Sequence, residues 1–283
     1  MSKIKGLLSR FKILLYFLSN REVRKRTTIL EVLRNTISPT CESIASRFIT
    51  FIKEESGYKY FKIKGYDDLF LYPSMAPFHN FAQVISEGML TKHWHHYEIP
   101  QTSVTETDII LDCGSAEGFF AFKYKVKAQK IYVVEPLPLF VNSLEKMFKN
   151  NPKIEVFPFA LGSVNGDLYM ELKDSAIASK CSSSNVGMHE YIKISSFTID
   201  TLFNEKKISY IKADLEGFEE EVIKGALQTI KLNKPKIAIT TYHDGQDFKK
   251  LIDLIHSVVP EYNFLIKGVE HRVGNPVMLH MWV

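Results

Sequence analysis

A glycine-containing segment, residues 112–118 with the sequence DCGSAEG, directly follows a short apolar run. Gly114 and Gly118 let the chain turn tightly and let a ligand approach the backbone. The helix expected next offers unpaired N–H groups at its start. The segment lacks the third glycine of the dinucleotide motif G-x-G-x-x-G, and Asp112 precedes its glycines. A pyrophosphate gains little from this carboxylate, whereas an amino group gains from it directly or through water.

Glu135 is the second residue whose type and place suggest ligand binding. It closes the next apolar run, 23 positions after Asp112. An acid at such a strand end can accept hydrogen bonds from both hydroxyls of a ribose. The glycine segment and Glu135 together favour a cofactor that carries an adenosyl group and an amino-acid end. The alternative is a tight turn and a solvated glutamate, with no ligand.

A reaction site is predicted beyond the ends of the fourth and fifth predicted strands, because ligands of parallel sheets bind outside the carboxyl ends of the strands. Asp214 ends the fourth strand, and Glu216 and Glu219 lie beyond it. His243 and Asp244 end the fifth. An alcohol acceptor is a poor nucleophile until its proton leaves. His243 is our first candidate base, since a neutral imidazole accepts a proton near pH 7, and Asp214 and Glu216 are the next catalytic candidates.

Each of these residues also has another interpretation. Glu216 and Glu219 open a helix, where acidic side chains stabilise the positive end of the helix dipole. His243 would then only hydrogen-bond a loop. A third interpretation is a Mg²⁺ site formed by Asp214, His243 and Asp244, although a histidine ligand is less typical of this ion. We expect no metal, with Mg²⁺ as the alternative.

The tract His93–Tyr97, with the sequence HWHHY, concentrates three histidines in five residues. On a helix, His93 would share a face with His96 and with Tyr97. No cysteines or spaced partner histidines accompany the tract, so a zinc site is not favoured. We predict that the tract is structural or that it contributes to the acceptor pocket, which the segment before the first strand would roof.

Short apolar runs alternate with helical patterns from residue 109 onward, which predicts βαβ units and a parallel sheet. The first hundred residues are predicted to be mostly helical up to about residue 55 and again at 78–97. A hairpin at 58–72 is expected to turn at Gly65. Strands are expected at 109–111, 131–134, 154–157, 209–212, 236–241, 262–267 and 277–283, and helices at 139–150 and 219–232.

Five segments resemble the FkbM methyltransferases in order and spacing. They read IILDCGSAEGFFAF, IYVVEPLPLF, FPFALGSVNGDLYM, SSFTIDTL and YIKADLEGFEEEVIKGA, and the resemblance covers about residue 100 to the C-terminus. It implies an α/β, Rossmann-like class I methyltransferase fold with a mostly parallel sheet and a C-terminal antiparallel strand pair, here with a mainly helical N-terminal extension. It also implies methyl transfer from S-adenosyl-L-methionine, commonly to an oxygen of a sugar or natural product.

The resemblance also assigns roles within the cofactor site. The loop departs from the usual pattern at Cys113 and at residues 115–117, where small or polar residues are more usual. The end of the fifth strand, residues 240–244 (TTYHD), departs where many relatives have a glutamate followed by a histidine. The implied cofactor-binding residues are Asp112, Gly114 and Gly118 beside the methionine part, Glu135 at the ribose and Ala160 near the adenine, together with Asp214.

The composition is that of an ordinary globular protein, with 283 residues, 45% apolar and 24% charged. A formal net charge of +4 is too mild to indicate a nucleic-acid partner. The three cysteines lack C-x-x-C spacing, which favours a reducing, cytoplasmic location. We predict two parts. Residues 1–105 form a helical extension, as a membrane-surface or acceptor-cap segment, and residues 106–283 form the S-adenosylmethionine-binding methyltransferase domain.

Residues 1–26 are basic and leucine-rich. Lys12 interrupts their apolar run, which is too short to span a bilayer, and the run lacks a small-residue cleavage site. We expect a helix that either packs on the protein body or makes peripheral contact with the anionic inner face of a membrane.

The sequence therefore predicts an S-adenosylmethionine-dependent O-methyltransferase that acts on a hydroxyl of a sugar, glycan precursor or sugar-nucleotide. The alternatives are a methyltransferase of a small natural product and a non-catalytic cofactor-binding protein at a membrane surface. Asp112 and the missing third glycine disfavour a nicotinamide-dependent oxidoreductase. The sequence predicts neither the acceptor atom nor an oligomeric state.

Overall fold

The chain begins with helices that pack on its C-terminal part. The computed structural model describes residues 2–171, 181–182 and 191–283. Ile13, Val23 and Val32 are buried together with Trp94 and Val269, which lie far along the chain. Among the described residues, no helix combines the length and the apolar character needed to cross a bilayer. The first helices are α1 (Ser2–Ser19), α2 (Arg21–Arg26), α3 (Ile29–Ile37) and α4 (Cys41–Ala45).

A three-stranded antiparallel sheet follows, with strands β1 (Ile49–Glu55), β2 (Tyr58–Ile63) and β3 (Leu69–Pro73) in that order. The predicted hairpin at 58–72 is confirmed as β2 and β3, and Gly65 in its connection has a φ of +89°. The prediction of helix up to residue 55 is wrong from residue 49. The ladder with β2 outweighs the helical spacing there, and Phe51 lies edge-on to Phe61 at 5.8 Å. The extension is therefore a mixture of helices and strands.

The predicted helix at 78–97 is shorter in the structure. Helix α5 spans Phe78–Met89, and the chain then turns twice, with the N–H of His93 donating to Leu90 and that of His96 donating to His93. A 3₁₀ turn at Pro100–Thr102 completes the connection. The histidine tract is thus not helical, and the predicted helix face shared by His93 and His96 does not exist.

A seven-stranded sheet forms from residue 109 onward, in the order β13-β14-β12-β11-β4-β5-β6. Its first five strands in chain order are parallel, and β14 lies antiparallel between β12 and β13. This confirms the predicted Rossmann-like class I fold with an antiparallel pair at the end. The elements that build and connect the sheet are β4 (Ile109–Cys113), α6 (Phe119–Tyr124), β5 (Lys130–Val134), α7 (Pro138–Phe148), β6 (Ile154–Phe157), β7 (Ala160–Leu161), β8 (Gly166–Glu171), β9 (Cys181–Ser182), β10 (Tyr191–Phe197), α8 (Ile199–Leu202), β11 (Tyr210–Ala213), α9 (Glu219–Lys224), α10 (Leu227–Asn233), β12 (Lys236–Thr240), α11 (Phe248–Val258), β13 (Asn263–Lys267) and β14 (Met278–Trp282).

Two features between β6 and β12 differ from the predictions. Strands β7 to β10 form a separate four-stranded sheet in the order β7-β10-β8-β9, which the sequence patterns did not indicate. The predicted helix at 219–232 is split into α9 and α10 at Gly225. A Cβ at Gly225 would lie 2.1 Å from the carbonyl oxygen of Gly162, so the break lets the chain pass close to β7.

An aromatic cluster joins the N-terminal sheet to the large sheet. Phe70 of β3 stacks on Phe81 of α5 at 5.2 Å and meets Phe122 of α6 edge-on at 5.1 Å. Phe119 of the same helix lies 6.0 Å from Phe70. All four side chains are buried. The extension and the segment that follows β4 therefore share one hydrophobic core, which fixes α5 beside the carboxyl end of the large sheet.

Candidate active site

Two adjacent chambers lie where strands β4, β5, β11 and β12 end. The outer chamber has a volume of about 210 Å³ and the inner chamber one of about 70 Å³. Both chambers have in their walls Val84, Glu87, Gly114, Ala116, Glu117 and Asp214. Glu135, Ala160, Glu216 and Tyr242 line the outer chamber only, and Lys123 and Lys212 line the inner one only. The chambers occupy the place at which open α/β sheets bind ligands.

The loop after β4 requires both of its glycines. Gly114 has a φ of +67°, and a Cβ there would lie 2.0 Å from the carbonyl oxygen of Asp214. Gly118 has a φ of +80°, and a Cβ there would lie 2.2 Å from Leu144. Gly114 lines both chambers, whereas Gly118 shapes the turn into α6.

Asp112 is tied to its neighbours within this loop. It is fully buried, accepts a hydrogen bond from the Ser115 hydroxyl at 2.7 Å and pairs with Lys212 at 3.0 Å. Asp112 is not among the described residues that line the two chambers. Its predicted contact with an amino group stays a prediction, and the loop carboxylate that faces the chambers is that of Glu117.

Glu135 lies at the end of β5 with both carboxylate oxygens in use. Oε2 accepts the N–H of Ala116 at 2.8 Å, and Oε1 accepts the N–H of Leu137 at 2.9 Å. Burial raises the pKa of Glu135 to about 7 against the effect of these two bonds. Each oxygen keeps a second lone pair, so Glu135 can accept further hydrogen bonds from a ligand in the outer chamber, where Ala160 is a neighbour in the wall.

Asp214 is ionised and held from two sides. The hydroxyl of Tyr97 donates to Oδ2 at 2.6 Å, and that of Thr240 lies 3.3 Å from Oδ1. Burial opposes ionisation, but the imidazole of His95 (once it is protonated in acid), the charges of His243 and Lys212 and the Tyr97 bond together hold the pKa of Asp214 at about 2. A fixed carboxylate therefore faces both chambers.

His243 is oriented by Glu219, a fully buried acid that the sequence suggested either as a site residue beyond the fourth strand or as a helix-opening residue. The imidazole Nδ1 lies 2.9 Å from Oε1 of Glu219, which also accepts the hydroxyl of Thr240 at 2.9 Å. Nε2 lies 3.6 Å from both Asp214 and Glu216, with no hydrogen-bond partner in the described part of the chain.

The charge state of His243 differs from the neutral form assumed in the sequence argument. Burial favours the neutral ring, but the bond to Glu219 and the charges of Asp214, Glu219 and Glu216 raise the pKa of His243 to about 9. The ring is therefore protonated at neutral pH. Among the described residues, His243 lines neither chamber, whereas its neighbour Tyr242 lines the outer one.

The alternative metal set of Asp214, His243 and Asp244 is not brought together. Asp244 is largely exposed and pairs with Arg272 at 3.0 Å. Ligand atoms of Asp214, Glu216 and His243 do lie within 4.8 Å of one another, a spacing that a divalent cation can bridge. Glu216 has a φ of +54°, which turns its side chain into the outer chamber.

His95 is a chamber residue that the sequence indicated only through its tract. Nδ1 lies 3.2 Å from Glu87, and Nε2 lies 3.2 Å from the Tyr242 hydroxyl and 3.6 Å from Asp214. Burial, the largest cause, lowers the pKa of His95 to about 4, so this ring is neutral. It lines the outer chamber, while His96 and Tyr97 line the inner one. Glu87 had no distinguishing signal, because isolated glutamates are common on helices, whereas Glu117 was marked only as a departure within the glycine segment.

Comparison with known proteins identifies the family. Residues 112–266 match the methyltransferase FkbM domain, a span that includes the glycine loop, Glu135, Asp214 and His243. The chain belongs to the FkbM methyltransferase family. The FkbM match begins at Asp112, so the walls contributed by Glu87, His95 and Tyr97 lie outside it.

Individual relatives of this FkbM protein match over different parts of the chain. The hexuronic acid methyltransferase AglP of Haloferax volcanii is 29% identical over 162 residues, which are 53% of this chain and 62% of that protein. The chain thus spans about three-fifths of the length of that relative. A probable ribosomal RNA small subunit methyltransferase A of Methanococcoides burtonii is 33% identical over 60 residues, 21% of this chain and 22% of that protein. The crystal structure of an FkbM methyltransferase from Methylobacillus flagellatus has 19% identity and a TM-score of 0.49 over 72% of this chain and 52% of its own.

Proposed function

We propose that this protein is an S-adenosylmethionine-dependent O-methyltransferase whose acceptor is a hydroxyl of a sugar, glycan precursor or sugar-nucleotide. The observation that carries the proposal is the convergence of the Gly114 loop and Glu135 on the same chamber as Asp214, His95 and Tyr242. One side of this chamber has the features of a nucleoside site, and the other offers acid–base groups.

The residues present fit S-adenosylmethionine. Gly114 leaves backbone space that a Cβ would fill, and Glu135 keeps lone pairs for two ribose hydroxyls. The apolar side chains of Phe159, Ala160 and Leu161 offer a wall for an adenine ring. When bound, this cofactor supplies an electrophilic methyl group carried on a positive sulfonium.

The acceptor side is the wall made by α5, the histidine tract and the ends of β11 and β12. Asp214 is ionised and orients a hydroxyl by accepting its hydrogen bond. His95 is neutral and faces the chamber, so it is placed to take the hydroxyl proton, after which the carboxylate of Asp214 stabilises its positive charge. His243 keeps a place in the reaction site, where its protonated ring balances the charges of Asp214 and Glu216.

A sugar acceptor is supported by family membership and by the name of the relative AglP, which is a hexuronic acid methyltransferase. A natural-product hydroxyl is the second candidate. The test is incubation with a labelled methyl donor and panels of sugar-nucleotides, glycans and polyketide alcohols, followed by product mass spectrometry. Labelled product from the sugar panel supports the proposal. Cofactor binding without product from any panel indicates a protein that only binds the cofactor.

We also propose peripheral contact of the N-terminal helices with the anionic cytoplasmic face of a membrane. The buried side of α1 is fixed by Ile13 and by Tyr16, whose hydroxyl donates to Arg272 at 2.7 Å. The opposite side of α1 leaves Phe11, Leu15 and Leu18 in solvent. Helix α3 also exposes Leu30 and Ile37, and the three helices carry exposed basic residues that suit anionic lipid head groups, among them Lys12, Arg21, Lys25 and Arg34.

A further inference from the structure

Glu117 is a buried carboxylate with no ion-pair partner among the residues that the structure describes. It is 3% exposed, and it lies in the walls of both chambers. Its Oε1 atom has no hydrogen-bond partner among the residues that the structure describes. Leaving a buried carboxylate unpaired is costly, because it has lost its hydration without gaining a donor. The position of Glu117 is therefore suited to a cationic ligand group that completes the pair.

The two lysines of the inner chamber, Lys123 and Lys212, pair with acids other than Glu117. Lys212 pairs with Asp112 at 3.0 Å and donates to the carbonyl of Gly114 at 2.7 Å. Lys123 donates to the carbonyl of Gly88 at 3.0 Å and lies 3.4 Å from Glu98. Each ammonium is thus held by an acid other than Glu117.

The backbone of the loop sets the direction in which a ligand extends from Glu135. The N–H of Ala116 binds Glu135, and the next residue, Glu117, faces both the outer and the inner chamber. A nucleoside whose ribose meets Glu135 therefore points its 5′ substituent along the loop toward Glu117. The inner chamber is too small for a sugar ring but has room for a short, charged chain end.

We propose that Glu117 binds the ammonium group at the amino-acid end of the cofactor. The inference rests on the proposed function, because it takes S-adenosylmethionine as the ligand. An ammonium has three donors and can satisfy Oε1, whereas the sulfonium has none. The role given to Asp112 by sequence reasoning thus passes to a residue five positions later, since Asp112 pairs with Lys212 and lines neither chamber.

Isothermal titration calorimetry tests the proposal with two ligands and three proteins. S-adenosylhomocysteine carries the amino-acid end, and 5′-methylthioadenosine lacks it. The variant Glu117→Gln should weaken S-adenosylhomocysteine binding by roughly 10- to 100-fold, the range of a charge-assisted hydrogen bond. It should leave the affinity for 5′-methylthioadenosine unchanged. The matched control is Glu106→Gln, an exposed glutamate outside both chambers, which should alter neither affinity.

Other outcomes overturn the inference. Equal losses for both ligands would mean that Glu117 only supports the loop, and unchanged affinity for S-adenosylhomocysteine would mean that it makes no contact. If Glu117→Gln does not fold, the wild-type protein is titrated with the deaminated analogue of S-adenosylhomocysteine. Binding of this analogue weaker by roughly 10- to 100-fold supports the proposal, and equal affinity overturns it. A wild-type protein that binds neither nucleoside contradicts the proposed function itself, and no variant is needed to see this.

Discussion

The backbone N–H of Ala116 donates to Oε2 of Glu135 at 2.8 Å, so one carboxylate joins the loop after β4 to the end of β5. The same side chain binds the N–H of Leu137 at the entrance to α7. Glu135 therefore shapes the chamber that it lines, and the loop after β4 depends on it even without a ligand.

Replacing Glu135 with alanine should weaken S-adenosylmethionine binding by about 1.5–3 kcal/mol, because two ribose hydroxyls lose a charged acceptor. The freed N–H of Ala116 should also loosen the loop. Calorimetry measures the affinity, and thermal unfolding shows whether the variant is folded. Unchanged affinity in a folded Glu135→Ala protein would remove this residue from the site.

Gly114→Ala should damage the site more than a comparable change elsewhere. Gly65 also has a positive φ, but a Cβ there meets nothing within 4 Å. Gly65→Ala should therefore lower the free energy of unfolding only by the energy of placing an alanine in the left-handed conformation, about 1–2 kcal/mol. Gly114→Ala adds a clash with the carbonyl of Asp214, so its melting temperature and its cofactor affinity should fall further. Equal melting temperatures for the two variants would show that the close approach at Gly114 can relax.

His95→Asn should lower turnover by about 10²–10⁴-fold, the usual contribution of a general base, and leave S-adenosylmethionine affinity nearly intact. The assay uses the acceptor found in the labelled-donor screen. The wild-type rate should be flat from neutral to alkaline pH, because the pKa of His95 is about 4. A rate that instead climbs through pH 9 and loses this climb in His243→Asn would assign the base to His243.

Glu117 should make the ligand-free protein less stable as the pH rises. Burial raises its pKa from 4.5 to about 7, so between these values the folded chain retains a proton that the unfolded chain releases. Stability therefore falls across this window as pH increases. The free energy of unfolding of Glu117→Gln should equal that of the wild type near pH 4. At pH 8 it should exceed the wild-type value by an amount on the order of 1–3 kcal/mol. Denaturant unfolding at both pH values measures this, and a pH-independent difference would contradict it.

Membrane contact should depend on exposed leucines and not on the buried face of α1. A double variant, Leu15→Ser with Leu30→Ser, should reduce flotation with anionic vesicles, since both side chains are more than 60% exposed. The control is Val164→Ser, an exposed apolar change in the turn before β8. Failure of the wild-type protein to float at low salt would assign the helices to a structural role.

Much of the fold was predictable because the large sheet has strong local signals. An apolar run such as 131–134 predicts a buried strand, and a glycine predicts a tight turn. The structure has these strands and turns where they were expected. The four-stranded side sheet was missed because a strand such as β7 has two residues and no period to detect. The end of α5 at Met89 was missed because the following tract has no glycine or proline near its start.

Within the site, the residues that follow the strands were predictable and their charge states were not. Asp214 and His243 do lie 3.6 Å apart, as the adjacency of β11 and β12 requires. The raised pKa of His243 depends on Glu219, whose burial no local pattern reveals. His95 and Glu87 come from a segment distant in sequence, so only the folded aromatic core brings them to the chamber.

The aromatic contact between Phe70 and Phe122 has a consequence for how the protein is made. The N-terminal sheet leaves the ribosome first, yet part of its apolar face has no cover until α6 has been synthesised. The wall that carries His95 and the loop that carries Gly114 should then reach their places together. A newly made chain should acquire both sides of the chamber in one step, so partly folded chains with only one of them should be rare.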